Sequence, residues 1–131
     1  MKKHKVVLCV DDEPMILKSL KAELTHNLGN EYLIEVAESG EEALEIIEEL
    51  HEKKIDTLLV ISDWLMPNMK GDELLMKIHQ KFPNMAKIML SGQADASAIE
   101  RVKSVAQGAF IAKPWKKEDL NNIVTGYLDN V

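Results

Sequence analysis

Short runs of aliphatic and β-branched residues alternate along the chain with amphipathic stretches of helical period. The runs are Val6–Val10, Tyr32–Ala37, Thr57–Ser62, Ala86–Leu90 and Ala109–Ala112. The first, third and fourth are almost unbroken, as parallel strands covered on both faces require. Between the runs, Ile16, Leu17, Leu20 and Leu24 recur at helical spacing, as do Ala43, Leu44, Ile47 and Leu50. Leu74, Leu75, Ile78 and Phe82 mark a third helix; Ile99, Val102 and Val105–Ala106 mark a fourth. Leu120, Ile123–Val124, Tyr127 and Leu128 mark a fifth. Ser39 stands three residues before Glu42, the spacing of a capping box. Asp11–Asp12–Glu13–Pro14 places carboxylates and a first-turn proline where a helix start favours both.

Strand followed by helix, five times over, predicts a doubly wound α/β domain with a parallel sheet and right-handed crossovers. The 131 residues are expected to form one domain over 1–131. An apolar fraction of 46% and a charged fraction of 29% exclude a disordered tail or a disulfide scaffold. Sixteen basic against 22 acidic residues give a net charge of −6, which argues against direct nucleic-acid or anionic-lipid partners. Cys9 is the single cysteine and lies in an apolar run, so a buried thiol in a reducing compartment is expected. No apolar stretch approaches the roughly 20 residues of a membrane span. The basic Met1–Lys5 segment precedes an apolar run too short for a signal peptide. A cytoplasmic protein without a membrane partner is expected.

Ligands of open α/β sheets bind beyond the carboxyl ends of the strands. Strand 1 is followed by Asp11, Asp12 and Glu13; strand 3 ends in Ser62–Asp63; strand 4 in Ser91–Gly92; strand 5 in Lys113–Pro114. With strands 1 and 3 adjacent, Asp11, Asp12 and Asp63 converge. Their mutual repulsion is relieved by a raised pKa or by a bound hard cation. Oxygen-only ligands suit Mg²⁺ and disfavour zinc. Three carboxylates, one lysine and one Mg²⁺ sum to zero, so the pocket can accept a phosphoryl group whose charge is shared by the metal, Lys113 and the Ser91 hydroxyl.

The segments Val10–Pro14, Ser62–Gly71, Leu90–Gly92 and Gly108–Trp115 closely resemble the receiver domain of two-component response regulators, in order and over essentially the whole chain. The resemblance implies a (βα)5 flavodoxin-like fold with strand order 2-1-3-4-5. It implies that Asp63 is the phosphoacceptor and that Asp12, Asp63 and the Leu65 backbone carbonyl ligate Mg²⁺, or Mn²⁺ as a substitute, with Asp11 acting through water. Lys113 would pair with the phosphoryl oxygens, Ser91 would hydrogen-bond one of them, Gly92 would leave room for them, and Lys113–Pro114 would be cis. Phe110 would be the switch aromatic, and the switching surface would be helix 4, strand 5 and helix 5, including Arg101, Lys103, Trp115, Lys116 and Asp119. Implied partners are a histidine kinase or phosphotransfer protein, an output domain or target protein, which the same full-length chain would carry beyond helix 5 if it continues, and a second copy on phosphorylation. Such a domain promotes its own phosphotransfer and autodephosphorylation and is not an enzyme acting on a separate substrate.

Competing readings lose specific residues. Phosphatases with an aspartyl-phosphate intermediate carry a second Asp two positions on, where this chain has Leu65. Neither G-x-x-x-x-G-K-[ST] nor G-x-G-x-x-G is present. His4, His26, His51 and His79 are expected at the surface; the methionines are expected to fill the core, except Met66 and Met69 after Asp63, which are expected to be exposed. Leu65 and Gln93 are expected to border the path of the hydrolytic water and so tune dephosphorylation, Gln93 through its amide.

Overall fold

The computed structural model describes residues 5–129. Its elements follow the alternation in the sequence: β1 Lys5–Val10, α1 Pro14–Leu28, β2 Leu33–Ala37, α2 Gly40–Glu52, β3 Asp56–Asp63, α3 Gly71–Lys81, β4 Ala86–Ser91, α4 Ala96–Lys103, β5 Gly108–Ala112 and α5 Lys117–Leu128, with a 3-10 turn at Gly29–Glu31. All neighbouring strands are parallel, in the order β2-β1-β3-β4-β5. This is the expected doubly wound order.

Alternation along each central strand builds two cores. Leu8, Val10, Val60 and Met89 face α2, α3 and α4, meeting Ala43, Ile47, Leu74, Leu75, Ile78 and Val102. Val7, Cys9, Leu59, Ile61, Ile88 and Leu90 face α1 and α5, meeting Leu17, Leu20, Leu24, Leu120, Val124 and Leu128. Burial on both faces explains why these strands lack a polar alternation. Cys9 is buried, and burial pushes its thiol up to about 12. It is a core residue, without thiolate chemistry at neutral pH.

The capping box at α2 forms: the Ser39 hydroxyl accepts from Glu42 N–H at 3.1 Å, and the Glu42 carboxylate accepts from Glu38 N–H at 2.7 Å. At α1 the proline sits in the first turn as expected, but no carboxylate caps the helix; Glu13 is the N-cap residue without a side-chain bond. Three other expectations are corrected. Met66 and Met69 are buried, at 4% and 8% exposure, and join the α2–α3–α4 core. A Cβ on Gly40 would fall 2.7 Å from the Met69 sulfur, so the loop after β3 folds inward onto the start of α2. Val105–Ala106 lie beyond α4, which ends at Lys103. There the chain must turn back, because β5 begins so close to α4 that a Cβ on Gly108 would sit 2.0 Å from the Val102 carbonyl oxygen. His79 is half-buried with an unpartnered Nδ1, whereas His26 and His51 are exposed; His4 lies outside the described residues.

Candidate functional site

The strand register brings the polar chain ends together. Val10 lies opposite Ser62, Asp63 opposite Leu90, and Ser91 opposite Ala112, so β1, β3, β4 and β5 end at one level. Each next residue is delivered over the same edge. The carboxylate oxygens of Asp11, Asp12 and Asp63 can lie within 4.8 Å of one another. Lys113 Nζ donates to Asp11 Oδ2 and Asp63 Oδ1, each at 3.2 Å. Asp11 is buried and also accepts from Glu13 N–H at 3.0 Å, so both of its oxygens are engaged. Asp12 is exposed, and its carboxylate takes no hydrogen bond or ion pair among the described residues.

Burial raises the Asp63 pKa; Lys113 opposes this, and Asp11 adds to it. Burial alone would lower Lys113, but the carboxylates of Asp11 and Asp63 outweigh it and hold the ammonium above its ordinary value. One lysine against three carboxylates leaves the pocket at −2 when all four are ionised. A cluster of oxygen donors with that excess fits a hard divalent cation, and Asp12, the least engaged carboxylate, is free to turn toward one.

A cavity of about 640 Å³ opens over this cluster. Among its lining residues are Asp12, Asp63, Leu65, Ser91, Gln93 and Lys113, with Gly92 between Ser91 and Gln93. Ser91 is buried, and its hydroxyl accepts from Gln93 N–H at 3.0 Å, which leaves the hydroxyl proton available to an acceptor in the cavity. A Cβ at Gly92 would meet only the Lys113 backbone and Cβ, at 3.5 and 3.7 Å. Leu65 is 48% exposed at the rim. Lys113–Pro114 is cis. Phe110 stands outside the cavity lining, half-buried against the α2–α3–α4 core and opposite Met89 on β4.

The loop after Asp63 is held by residues not singled out in the sequence. The Trp64 backbone favours the charged form of the Asp63 carboxylate, weakly opposing the effect of burial. Gly71 N–H donates to the Trp64 carbonyl at 2.8 Å, and a Cβ on Gly71 would lie 2.1 Å from the Asp63 carbonyl oxygen, so only glycine lets the loop close. The Trp64 indole donates to Asp72 at 3.0 Å, and Arg101 on α4 donates to the other oxygen of Asp72 at 2.8 Å. Asp72 is easily missed, because an Asp in the first turn of a helix reads as a response to the helix dipole. Arg101 and Lys103 are otherwise exposed, as are Lys116 and Asp119, whereas Trp115 is half-buried with its indole directed at Glu23, 3.5 Å away.

The family model described as "Response regulator receiver domain" matches residues 7–125. The chain is 36% identical over 125 residues to the transcriptional regulatory protein GlrR of Escherichia coli (strain K12), covering 94% of this chain and 26% of that protein. It is 30% identical over 124 residues to a chemotaxis protein CheY homolog of Campylobacter jejuni subsp. jejuni (strain 81-176), covering 90% and 91%. A CheY-like response regulator receiver domain protein from Methanospirillum hungatei JF-1 superposes with a TM-score of 0.83 at 34% identity, covering 96% of this chain and 94% of that one. The chain thus spans about a quarter of the first of these relatives and most of the second.

Proposed function

Because the chain belongs to the response regulator receiver domain family of two-component signalling, we propose that it accepts a phosphoryl group on Asp63 in a Mg²⁺-dependent reaction and thereby switches its α4–β5–α5 surface. The observation that carries this reading is the joint bonding of Lys113 to Asp11 and Asp63 inside an acidic, oxygen-only pocket at the carboxyl edge of the sheet.

Asp63, Asp12 and the Leu65 carbonyl would hold Mg²⁺, with Asp11 behind them; Mn²⁺ is the expected substitute. The metal supplies charge neutralisation. The chain's own groups do the rest. Asp63 presents the attacking oxygen. Lys113, already at 3.2 Å from that carboxylate, pairs with incoming phosphoryl oxygens. Ser91 turns its hydroxyl proton toward one of them. Gly92 keeps the approach open, and Leu65 and Gln93 border the opposite path, along which water would return the phosphoryl group to solution.

The switch arises from a differential contact. Only the phosphorylated state gives Ser91 a new acceptor, so only that state draws the β4–α4 loop inward and frees space for Phe110. The phosphoryl donor would be a histidine kinase or phosphotransfer protein, in the cytoplasm. The receiver would act as one domain over residues 1–131, signalling to an output domain or target protein, with self-association on phosphorylation. It would promote its own phosphotransfer and autodephosphorylation without a separate substrate.

Incubation with Mg²⁺ and acetyl phosphate is expected to add one hydroxylamine-labile phosphoryl group, detected by intact mass. Asp63→Asn should abolish it. Retention of full label in that variant would overturn the assignment of Asp63.

A further inference from the structure

Asp72 is buried yet lies outside the pocket, and it uses its two oxygens on two different elements. One accepts the indole N–H of Trp64 at 3.0 Å; the other accepts the Arg101 guanidinium of α4 at 2.8 Å. Trp64 is the residue between Asp63 and Leu65. Its carbonyl is held by the Gly71 N–H, and its ring lies 4.8 Å from the Lys70 ammonium. The side chain of Trp64 is thus fastened on its edge and on its face, and its backbone at the carbonyl. A buried carboxylate without hydrogen-bond partners is costly, and here the Trp64 indole and the Arg101 guanidinium supply them.

We propose that Asp72 is a positioning residue of the phosphotransfer site: through the Trp64 indole it fixes the Asp63–Trp64–Leu65 segment on which the cation is to be held, and through Arg101 it makes α4 part of that support. The proposal rests on the assignment of Asp63 and Leu65 as cation ligands. Groups that orient ligands from behind alter metal affinity without touching the metal. Here the geometry has a direct path, since freeing the indole leaves the peptide between Asp63 and Leu65 held mainly through the Gly71 bond, and loosens the Asp63 carboxylate and the Leu65 carbonyl with it. The same path gives α4 a mechanical link to the acceptor segment that does not pass through Ser91 or Phe110.

The test is calorimetric titration of the full chain with Mg²⁺ alone. Asp72→Leu and Trp64→Phe are each expected to weaken Mg²⁺ binding about tenfold. The two together should weaken it no further than Trp64→Phe alone, because both remove one bond. Asp72→Asn keeps an oxygen for the indole and should recover most of the affinity. Arg101→Met should cost roughly threefold, the smaller effect of a partner that only orients Asp72. Trp64→Phe preserves a packed ring and Asp72→Asn preserves volume, so the measurement survives if Asp72→Leu does not fold. Wild-type affinity in Trp64→Phe, or losses that add in the double variant, would overturn the proposal. Failure of the unmodified chain to bind Mg²⁺ would instead strike the underlying reading of the pocket.

Discussion

Two lysines lie at opposite ends of the sheet and answer burial in opposite ways. Lys113, at the carboxyl edge, is held above its ordinary pKa because Asp11 and Asp63 outweigh the cost of its burial. Lys87, in β4, is fully buried, and burial pushes it down from 10.5 to about 8. Among the described residues, its ammonium donates only to the carbonyl oxygens of Met85 and Pro83 in the α3–β4 turn. A cavity larger than the one over the carboxylates, about 860 Å³, also lies at this amino end, lined by residues such as Thr57, Phe82, Pro83 and Tyr127. Size therefore does not mark the functional end. What marks it is an excess of like charge, three carboxylates with oxygens within 4.8 Å of one another, that the single lysine does not fully compensate. Among the described residues, the amino end meets the buried Lys87 ammonium with neutral carbonyl dipoles and gathers no such cluster of carboxylates.

The sharpest way to break this comparison is to delete each ammonium. Lys113→Met should slow phosphorylation by acetyl phosphate about 100-fold, the usual effect of losing one preorganised charge at the reacting group. Lys87→Met should leave the rate within about twofold, because among the described residues its ammonium bonds backbone carbonyls and makes no ion pair that leads to the pocket. Equal losses in both variants would mean that the two ends are not functionally distinct.

The second difference is in pH dependence, and the signs are opposite. Lys87 binds its proton more weakly folded than unfolded. Its cost is fully present below pH 8 and is relieved as pH rises from about 8 toward 10.5, where only the unfolded chain keeps the proton. Lys113 binds its proton more tightly folded, so its contribution is full below its ordinary value of 10.5 and is lost above it. Denaturant melts between pH 7.5 and 10 should show stability rising in the wild type relative to Lys87→Met, by on the order of 2 kcal/mol. A flat difference across that range would place the Lys87 titration elsewhere.

The two ends also differ in how much of them could be read from the sequence. The carboxyl edge was legible because parallel strands must stop at one level, so Asp11, Asp12, Asp63, Ser91 and Lys113 could be gathered from the polar residues that terminate the apolar runs. Lys87 gave no such signal: it interrupts an apolar run without any neighbour to suggest that its long stem would be buried with its charge. The loop after Asp63 misled in a different way. Met66 and Met69 sit among turn-forming residues, which suggests exposure, but closure of the loop on Gly71 and Gly40 turns both into the core. The Asp72–Arg101 bond joins α3 to α4 across 29 positions, a separation at which no local pattern operates.

A smaller effect concerns the return of the phosphoryl group. Gln93 lines the cavity, and its backbone N–H is committed to Ser91 while its side chain is exposed. A side-chain amide can orient one water, but it lacks the charge of a carboxylate, so a phosphoryl lifetime of minutes is expected. Gln93→Ala should slow dephosphorylation roughly tenfold, corresponding to about 1.4 kcal/mol on the barrier. An unchanged decay, measured as loss of label after the donor is removed, would exclude Gln93 from the hydrolytic path.

The smallest test uses one hydroxyl from each end. Thr57 Oγ1, at the amino end, is buried and has no hydrogen-bond partner among the described residues. Ser91, at the carboxyl end, is also buried, but its Oγ accepts from Gln93 N–H. An unpartnered hydroxyl costs desolvation and returns nothing, and valine matches threonine in shape and strand preference. Thr57→Val should therefore raise stability by about 0.5–1 kcal/mol, a gain of a few degrees in Tm. Ser91→Ala should do the reverse by a similar amount, since it leaves the Gln93 amide without its acceptor. The opposed signs come from one rule applied at two ends: a buried polar atom stabilises only through the partner it finds. A loss of stability in Thr57→Val would show that the amino-end hydroxyl is satisfied after all, and the contrast between a neutral end and a reactive end would then rest on charge alone.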